Sequence, residues 1–503
     1  MKHYHESLNK KSRLTLDPLA SQPDVSMLAP MEPERLRARI GDALRIQNDY
    51  YPCFDWTFPP PITQKVRGAV TPQQLFEHPS AVPGRYSIYL HVPFCQSLCK
   101  FCYYPVIPGQ HDDEMDRYVN ALVSEMQLYA PVMAGAECES IYLGGGTPTH
   151  LPPRLLAQLL EALQRHFRIA RDAEITIESA PGTLPADKLA LLKGLGVNRL
   201  SYGIQTLDEK LLAGLNRNYT VAGAKAELDN AVRILGNVNI DTMYGFEGEP
   251  KSALLDTLRE FIDLGVPCVS IYALDGQRCN SDRAKDVPAH DAQFDHKIHT
   301  YRAARELLDV HGFRPVLQNI FLQPERASYR HQLRRWENLP LVALGMSSMG
   351  YAPRRLYQNQ ISLKVYYDKL SRGELPVMEW EDLTPQLEIM REVVSQLRFT
   401  EVNLKRIHDK YGVDVGQVYR DLITALVDLG YVEHRHGVLR LADAAAHYNN
   451  IIPMLFAPDE FKEIIYGLPE EYRENFPLPF VLTQVGATQS RPFPMGKAET
   501  ASC

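Results

Sequence analysis

The feature that most constrains the fold of this 503-residue chain is an alternation of short apolar runs with helix-length segments. The runs are rich in β-branched and aromatic residues and end at glycine, proline or polar residues, which is typical of buried strands. They cover residues 87–92, 140–145, 174–179, 199–204, 238–244 and 268–274, and the segments between them cover residues 112–130, 152–168, 186–195, 207–215, 221–235 and 251–264. This order predicts parallel strands joined by right-handed crossovers.

Six strand–helix units favour a partial (β/α)6 barrel in an α/β fold, because a closed barrel of this type takes eight. A doubly wound parallel sheet is the alternative, but no GxGxxG motif follows the first strand to recommend it. We expect this α/β core to cover residues 86–380.

The segments on either side of the core differ from it in composition. Residues 1–85 are rich in proline and polar residues, with one helical stretch near 32–48, and are expected to form an N-terminal arm. Residues 381–455 contain three helical segments followed by a hairpin around Gly437, which predicts a small helical, winged-helix-like C-terminal domain. Residues 456–503 are punctuated by proline and are expected to form a tail.

Composition and charge argue against several classes of function. The chain has 54 Lys and Arg against 61 Asp and Glu, a formal charge of −7, so no basic field predicts binding to nucleic acid or to an anionic membrane. No apolar run approaches the roughly 20 residues of a spanning helix. Residues 1–25 also lack the apolar centre of a secretory signal. We therefore expect a cytoplasmic protein that has neither nucleic acid nor membrane as a partner.

Three of the eight cysteines are clustered in one segment, HVPFCQSLCKFCYYP, at residues 91–105. Structural zinc usually needs a second pair of ligands about 12 to 20 residues further on, and none follows. A CxxC redox pair would use Cys99 and Cys102 but would leave Cys95 unexplained. Three thiolates on one loop match three irons of a [4Fe–4S] cluster, whose fourth iron then stays open for a reactant.

The C-x3-C-x2-C spacing, with Phe101 before the last cysteine, resembles the signature of radical S-adenosylmethionine (SAM) enzymes. The segments YLHVPFC, GGGTPT, ITIESAPGTL, RLSYGIQTLDEKLLAGLNR and IDTMYGFEGE resemble, in order, blocks of the oxygen-independent coproporphyrinogen III oxidase-like (HemN-like) family, over roughly residues 86–455. The resemblance implies a [4Fe–4S] cluster, held by Cys95, Cys99 and Cys102, that cleaves SAM to methionine and a 5′-deoxyadenosyl radical. It also implies a small-molecule substrate and an electron donor such as flavodoxin or ferredoxin.

The same resemblance assigns roles to residues near the carboxyl ends of the predicted strands, where barrel sites are built. The residues concerned are Tyr89, Phe101, Gly144, Gly145, Gly146, Thr147, Glu178, Gln205, Arg217 and Asp241. The glycines and the threonine would meet the methionine amino group of SAM, because glycine lets the main chain approach a ligand closely. Glu178 would contact the same SAM, and Phe101 would shield the cluster.

The remaining residues have both a functional and a structural interpretation. Gln205 and Arg217 would hold the ribose and carboxylate of SAM, and Asp241 would meet a ribose hydroxyl. Asp241 could equally cap the following turn, and a basic residue such as Arg217 is common at a helix C-terminus. Tyr89 would line the cavity, or it is simply an aromatic residue of a strand. Members of this family often bind a second SAM, so one or two SAM molecules per chain are expected.

Three reactions are compatible with these residues. The first, which we favour from the sequence, is radical transfer of a methyl or methylene group from a second SAM to a specialised metabolite, giving C-methylation or cyclopropanation. The second is the oxidative decarboxylation of coproporphyrinogen III in haem biosynthesis. The third is a haem-binding chaperone that keeps the cluster.

Departures from the family patterns weaken the second and third reactions. Tyr103 and Tyr104 stand where the decarboxylases carry a small residue and a further cysteine, and residues 48–56 match their substrate arm only loosely. Haem carriers show a His-Asn segment that ends in Tyr-Trp. Here HQLRRW, residues 331–336, keeps the His and Trp but lacks the Asn and Tyr, so we expect His331 to be a surface histidine of a basic helix.

Overall fold

The computed structural model describes residues 40, 64–65, 68–76, 84–102, 104–217, 219–246, 248–274, 294–317, 319–399, 401–448 and 452–456. The predicted helix near 32–48 (apart from Ile40), the segment 48–56, Tyr103 and the predicted tail after residue 456 lie outside these residues.

The described strands form three sheets. In chain order they are β1 (Gln64–Lys65), β2 (Arg85–Val92), β3 (Phe94–Cys95), β4 (Ile107–Pro108), β5 (Glu137–Gly145), β6 (Ile169–Ser179), β7 (Arg199–Gln205), β8 (Val238–Tyr244), β9 (Cys268–Ala273), β10 (Arg314–Leu317), β11 (Ile320–Leu322), β12 (Leu341–Leu344), β13 (Met349–Ala352), β14 (Arg355–Asn359), β15 (Val377–Asp382), β16 (Glu401–Asn403), β17 (Val432–Arg435) and β18 (Val438–Leu441).

The described helices lie between these strands and after them. They are α1 (Pro72–Leu75), α2 (Asp112–Met133), α3 (Pro153–His166), α4 (Ala186–Gly194), α5 (Glu209–Gly214), α6 (Val221–Leu235), α7 (Ala253–Asp263), α8 (Phe294–Val310), α9 (Arg330–Trp336), α10 (Leu363–Ser371), α11 (Pro385–Arg398), α12 (Leu404–Tyr411), α13 (Val415–Val418) and α14 (Arg420–Asp428). None of them is both long enough and apolar enough to cross a membrane.

The six predicted strands are confirmed as β2 and β5 to β9, which pair in parallel in this order. Successive residues of a strand point to opposite faces of the sheet. In β2, Ile88 and Leu90 are fully buried in the hydrophobic core under the helices. Ser87 and Tyr89 alternate with them and bond to polar groups of the other face. The sequence therefore builds a sheet with an apolar outer face and a partly polar inner face.

The sheet continues on both sides of the six predicted strands. Strand β12 pairs in parallel with β2, and β13, β14, β15 and β1 follow it in antiparallel order. On the other side, β11 pairs antiparallel with β9, and β10 pairs antiparallel with β11. Among the described strands, β1 and β10 lie at opposite ends of the sheet. The barrel is therefore open, as predicted, although its sheet is larger than the six units implied.

The predicted helices and hairpin of the C-terminal segment are also present. Helices α11, α12 and α14 pack around a hydrophobic core of their own, which includes Val393, Ile407 and Leu426. Strands β17 and β18 form the hairpin, turning at His436 and Gly437, whose φ angles of 52° and 76° suit a two-residue turn. Strand β16 adds a third strand that was not predicted. The proposed domain boundaries themselves stay a prediction.

Candidate active site

The cysteine segment forms a loop tied to the sheet by main-chain bonds. Strand β3 pairs in parallel with β4, and the Gly109 amide donates to the Cys95 carbonyl at 3.1 Å, so both ends of the loop meet. Between them, the Cys102 amide donates to the Cys99 carbonyl at 3.1 Å. The Cys95 Sγ lies 3.6 Å from the Thr147 hydroxyl. All three predicted cysteines therefore lie on one closed loop at the carboxyl edge of the sheet.

The donor atoms of this loop fit the group that the sequence implies. Burial raises the pKa of the Cys95 thiol to about 12 and that of the Cys102 thiol to about 11. Metal binding to thiols displaces these protons. Soft thiolates select iron–sulfur clusters. In the described part of the chain, no three His, Cys, Asp or Glu side chains stand in metal-binding geometry.

The glycine segment after β5 packs directly against the start of this loop. A Cβ on Gly145, whose φ is 109°, would lie 2.5 Å from the His91 ring. A Cβ on Gly146 would lie 2.7 Å from the Pro93 carbonyl oxygen, and the Gly146 amide donates to the Val92 carbonyl at 2.8 Å. Glycine is thus required by packing within the protein. That contact places the glycine backbone beside the loop that carries the cysteines.

Glu178 lies beneath the glycine segment and is held by two donors. Its carboxylate accepts a bond of 2.7 Å from the Tyr142 hydroxyl and one of 3.0 Å from the Gly145 amide. A Cβ on Gly144 would approach the same carboxylate to 3.0 Å. Burial raises the pKa of Glu178 to about 7. The chain therefore holds a carboxylate next to the glycine backbone, at the place where the amino group of SAM is expected.

Tyr89 belongs to a short hydrogen-bonded chain that ends on the cluster loop. Its hydroxyl lies 3.1 Å from His91 Nδ1, and His91 Nε2 lies 3.1 Å from the Pro105 carbonyl. Because a carbonyl only accepts, Nε2 carries the proton and the Tyr89 hydroxyl donates to Nδ1. Burial lowers the pKa of His91 to about 4, so the ring is neutral. The Tyr89 ring also stacks on Tyr142 at 6.1 Å.

Gln205 is the last residue of β7, and Asp241 lies within the neighbouring strand β8, on the inner face of the sheet. Gln205 is buried in a left-handed conformation with φ of 75°, which is uncommon for a residue other than glycine. The Asp241 carboxylate accepts bonds from Ser201 at 3.0 Å and from Asn239 at 2.9 Å. Burial raises the pKa of Asp241. Both Asp241 partners face the interior, so this carboxylate is not a cap of the following turn.

Arg217 and Phe101 meet at the side of the loop. The guanidinium carbon of Arg217 lies 5.4 Å from the centre of the Phe101 ring, and Arg217 Nε is buried without a hydrogen-bond partner among the described residues. Phe101 packs against a small apolar cluster that includes Leu215 and Met243. Phe101 is therefore placed to cover the loop, and the structure brings Arg217 to the same place.

Family models match two parts of the chain. The radical SAM superfamily matches residues 89–261, and the HemN C-terminal domain matches residues 383–446. The chain thus carries a radical SAM domain followed by a HemN C-terminal domain. A radical SAM domain implies a [4Fe–4S] cluster and SAM, and the three thiols of the loop described above fit the cluster.

Relatives of this radical SAM protein fall into two named groups. It is 26% identical over 360 residues to "Heme chaperone HemW" of Bacillus subtilis, which covers 71% of this chain and 94% of the relative. It is 28% identical over 326 residues to "Oxygen-independent coproporphyrinogen III oxidase" of Escherichia coli, covering 62% and 71%. The solved E. coli HemN structure matches with a TM-score of 0.69 at 23% identity, over 82% of this chain and 98% of that one. This radical SAM protein is therefore HemN-like, and its fold is that of HemN.

The expectation for His331 of this radical SAM protein is wrong. Its ring is buried, its Nδ1 lies 3.0 Å from the Ser140 hydroxyl, and it packs on Tyr142 at 5.2 Å. Its amide donates to Glu174, whose carboxylate lies at the start of α9. Burial, aided by the Arg335 charge, lowers the pKa of His331 to about 3. The basic residues indicated a surface helix, but the hydrogen bond from the His331 amide to Glu174 holds the start of the helix inside the barrel.

Two residues at the site of this radical SAM protein were not predicted from the sequence. Tyr142 holds Glu178 and stacks between Tyr89 and His331. Tyr118 donates to the His91 carbonyl at 2.7 Å and accepts from the Met346 amide at 3.0 Å, which joins β2 to the turn after β12. The signal for Tyr142 was its place two residues before the glycine segment, on the inner face of a strand.

Proposed function

We propose that this protein is a cytoplasmic radical SAM oxidoreductase of the coproporphyrinogen oxidase type, acting on a small molecule with carboxylate side chains. The observation that carries the proposal is the closed three-cysteine loop beside the glycine segment and Glu178. The names of the oxidase relatives support the same reaction class. They give no support to the one-carbon transfer that we favoured from the sequence.

A bound [4Fe–4S] cluster and SAM would supply one electron for cleavage and a 5′-deoxyadenosyl radical that takes a hydrogen atom from the substrate. In the proposed reaction a propionate side chain loses that hydrogen, then carbon dioxide and one electron, and becomes a vinyl group. The balance is propionate plus SAM giving vinyl, carbon dioxide, methionine and 5′-deoxyadenosine. One electron enters and one leaves, so SAM is the net oxidant.

The residues of the chain hold and orient these reactants. Glu178 and the glycine backbone would bind the amino end of SAM, since a carboxylate attracts an ammonium group strongly in a buried site. Gln205 and Asp241 would bind its ribose from the neighbouring strands. The neutral His91 accepts a hydrogen bond from the Tyr89 hydroxyl, so that proton is not available to a ligand. Tyr89 would therefore contact a ligand as a hydrogen-bond acceptor or through the face of its ring.

Anaerobic turnover of the reconstituted protein with coproporphyrinogen III and methyl-deuterated SAM tests the proposal. We expect unlabelled 5′-deoxyadenosine, carbon dioxide and a product with vinyl groups. Deuterium in 5′-deoxyadenosine would instead establish hydrogen abstraction from a SAM methyl group, and with it one-carbon transfer. Cleavage of SAM without loss of carbon dioxide would reject the decarboxylation.

A haem chaperone is the second candidate, favoured by the extent of the match to the B. subtilis relative. Against it stands the buried His331, whose ring is engaged by Ser140 and Tyr142 and is not placed to bind haem. Titration with haemin of the wild-type protein and of His331→Ala distinguishes the two. Tight binding that the substitution abolishes, together with no SAM cleavage, would establish the chaperone instead.

We further propose that two SAM molecules bind per chain and that flavodoxin or ferredoxin supplies the electron. The family resemblance supports the second SAM. Equilibrium dialysis on the reconstituted protein should give two SAM per cluster. A ratio of one would reject the second site.

A further inference from the structure

Helix α9 directs two side chains towards the inner face of the sheet. His331 and Arg335 are four residues apart, so they lie on the same side of the helix. The His331 ring touches Ser140 and Tyr142, both on the inner face of β5. Arg335 therefore points to the barrel interior as well. Burial raises the pKa of the Tyr89 phenol, and the Arg335 charge opposes that rise.

A second guanidinium, that of Arg391, lies against the same aromatic ring as Arg335. The guanidinium carbons of Arg335 and Arg391 lie 4.7 Å and 5.5 Å from the centre of the same Trp336 ring. Arg391 is 3% exposed, lies over Tyr351 at 4.5 Å and bonds to Asn338. Among the described residues, neither arginine forms an ion pair. Two cations in a poorly hydrated place repel each other unless an anion lies with them.

The acids nearby act on Arg391 rather than on Arg335. The Glu388 carboxylate accepts bonds from the Tyr351 hydroxyl and the Arg354 amide, and its charge opposes the lowering of the Arg391 pKa by burial. Glu381 lies on the inner face of β15, opposite Leu356 of β14, and burial raises its pKa to about 8, which leaves it largely protonated at neutral pH. Among the described residues, Arg335 is thus the arginine of this pair that lacks an acidic partner.

The walls around this charge are apolar and aromatic. Strand pairing sets Tyr89 beside Ala343, Leu341 opposite Tyr351, and Tyr351 opposite Leu356, all on the inner face. Leu341 and Tyr351 belong to one buried cluster, against which Tyr89 and Leu356 pack. An apolar and aromatic wall next to a cation suits a ligand that has a hydrophobic body and a carboxylate.

We propose that Arg335, supported by Arg391, binds a carboxylate of the substrate inside the barrel. Arginine can bond a carboxylate through two parallel N–H groups, which fixes its orientation as well as its position. This inference rests on the proposed function for the class of substrate, an amphipathic carboxylic acid. It adds the residues that recognise the acid.

Binding of coproporphyrin III, and of its tetramethyl ester, to the anaerobic holoprotein tests the inference by absorbance titration. We expect the acid to bind the wild-type protein at least about tenfold more tightly than the ester. Arg335→Gln should abolish that preference, and Arg335→Lys should restore part of it. Arg330→Gln is the matched control, because Arg330 lies on the same helix but pairs with Asp172 at the surface. Thermal melting shows whether each variant folds.

The outcomes separate the site from the reaction. Equal binding of acid and ester, or an unchanged preference in folded Arg335→Gln, would overturn the inference. A preference that depends on Arg335, with no vinyl product from coproporphyrinogen III, would keep the carboxylate site and reject the decarboxylation. Vinyl product at wild-type KM in Arg335→Gln would keep the reaction and reject the site.

Discussion

The two halves of the inner face differ in how the carboxylates of their strands are partnered, although buried N–H groups of Arg199 in the first half also lack described partners. In the half built by β5 to β8, Glu178 and Asp241 each accept at least two hydrogen bonds from neighbouring strands. In the half built by β12 to β15 with α9, Arg335 has no ion-pair partner among the described residues, and Glu381 Oε2 is buried without a bond. Satisfied groups hold their geometry without a ligand, whereas unsatisfied ones favour binding of one.

This difference indicates a division of labour within the sheet. Under the proposed function, the first half, here called the cofactor half, would hold SAM in a preorganised site. The second half, here called the substrate half, would recognise the substrate through groups that are left free for it. The effects expected from substitutions in the two halves range from loss of the cofactor to a small change in stability.

Removal of one cysteine of the loop should have the largest effect. In Cys95→Ala a cluster iron loses its ligand, and we expect SAM cleavage to fall by at least about a hundredfold, since even outer contacts of metal sites are worth 10- to 100-fold. Iron content and 5′-deoxyadenosine measure it. Cys138→Ala, which changes a buried thiol in the core, is the control and should keep both. Full cleavage in Cys95→Ala would mean that the cluster is held elsewhere.

Glu178→Gln should weaken SAM without removing the cluster. Loss of a charge-assisted hydrogen bond costs about 1.5–3 kcal/mol, or roughly 10- to 100-fold in the Kd for SAM. Because the pKa of Glu178 is raised to about 7, wild-type affinity should fall as the pH drops below 7, while the variant should show no such fall. Glu174→Gln, on the same strand but bonded to α9, should leave the Kd unchanged. A Kd unaffected by Glu178→Gln would remove Glu178 from the SAM site.

The cofactor half was predictable from the sequence and the substrate half was not. Strands β2 and β5 to β9 carry long runs of apolar and β-branched residues, so their positions were predicted to within a few residues, apart from the polar start of β6. Strands β10 to β15 are only three to six residues long and mix polar residues into their pattern, as in RLYQN and VMEWED. Their pairing also depends on distant partners, which no local pattern reveals.

The site shows the same division at the level of single residues. Glu178 was predicted because it lies on a recognisable strand near a motif, and its carboxylate accepts a bond from the Gly145 amide, while its contact with SAM stays a prediction. His331 was misplaced because the basic residues around it indicate a solvent-exposed helix. Its burial depends on Glu174, which lies 157 residues earlier in the chain, and on the Ser140 hydroxyl.

Tyr89→Phe should have a moderate effect, because Tyr89 stands where the two halves meet. It pairs across β2 with both, and its hydroxyl donates to His91, which in turn holds the Pro105 carbonyl of the cluster loop. A neutral hydrogen bond is worth about 1 kcal/mol, so we expect a roughly fivefold slower SAM cleavage with unchanged iron content. Tyr86→Phe is the control on the same strand, since the Tyr86 hydroxyl has no described hydrogen-bond partner. Equal rates in both variants would show that the His91 bond does not organise the loop.

The smallest expected effect concerns Glu125, on the outer face of the substrate half, where the polar groups have hydrogen-bond partners. The Glu125 carboxylate accepts bonds from the Gly345 amide at 2.8 Å, the Tyr366 hydroxyl at 2.6 Å and the Asn359 amide at 2.7 Å, so it anchors the turn after β12. Burial raises its pKa from 4.5 to about 7. The folded state then binds more protons than the unfolded state between pH 4.5 and 7, so this group stabilises the fold below pH 4.5 and loses that contribution as the pH rises to about 7.

In Glu125→Gln this contribution no longer depends on pH. Denaturant unfolding at pH 5 and pH 7 should therefore show a smaller fall in the free energy of unfolding than in the wild type, with an overall loss of about 1–3 kcal/mol from mismatched donors. Glu139→Gln, at the opposite edge of the sheet and paired with Arg85, should keep the wild-type slope. If Glu125→Gln also kept it, Glu125 would be ionised throughout. The outer face would then carry a buried negative charge. It would differ from the inner face of the substrate half only in that its charged group has hydrogen-bond partners.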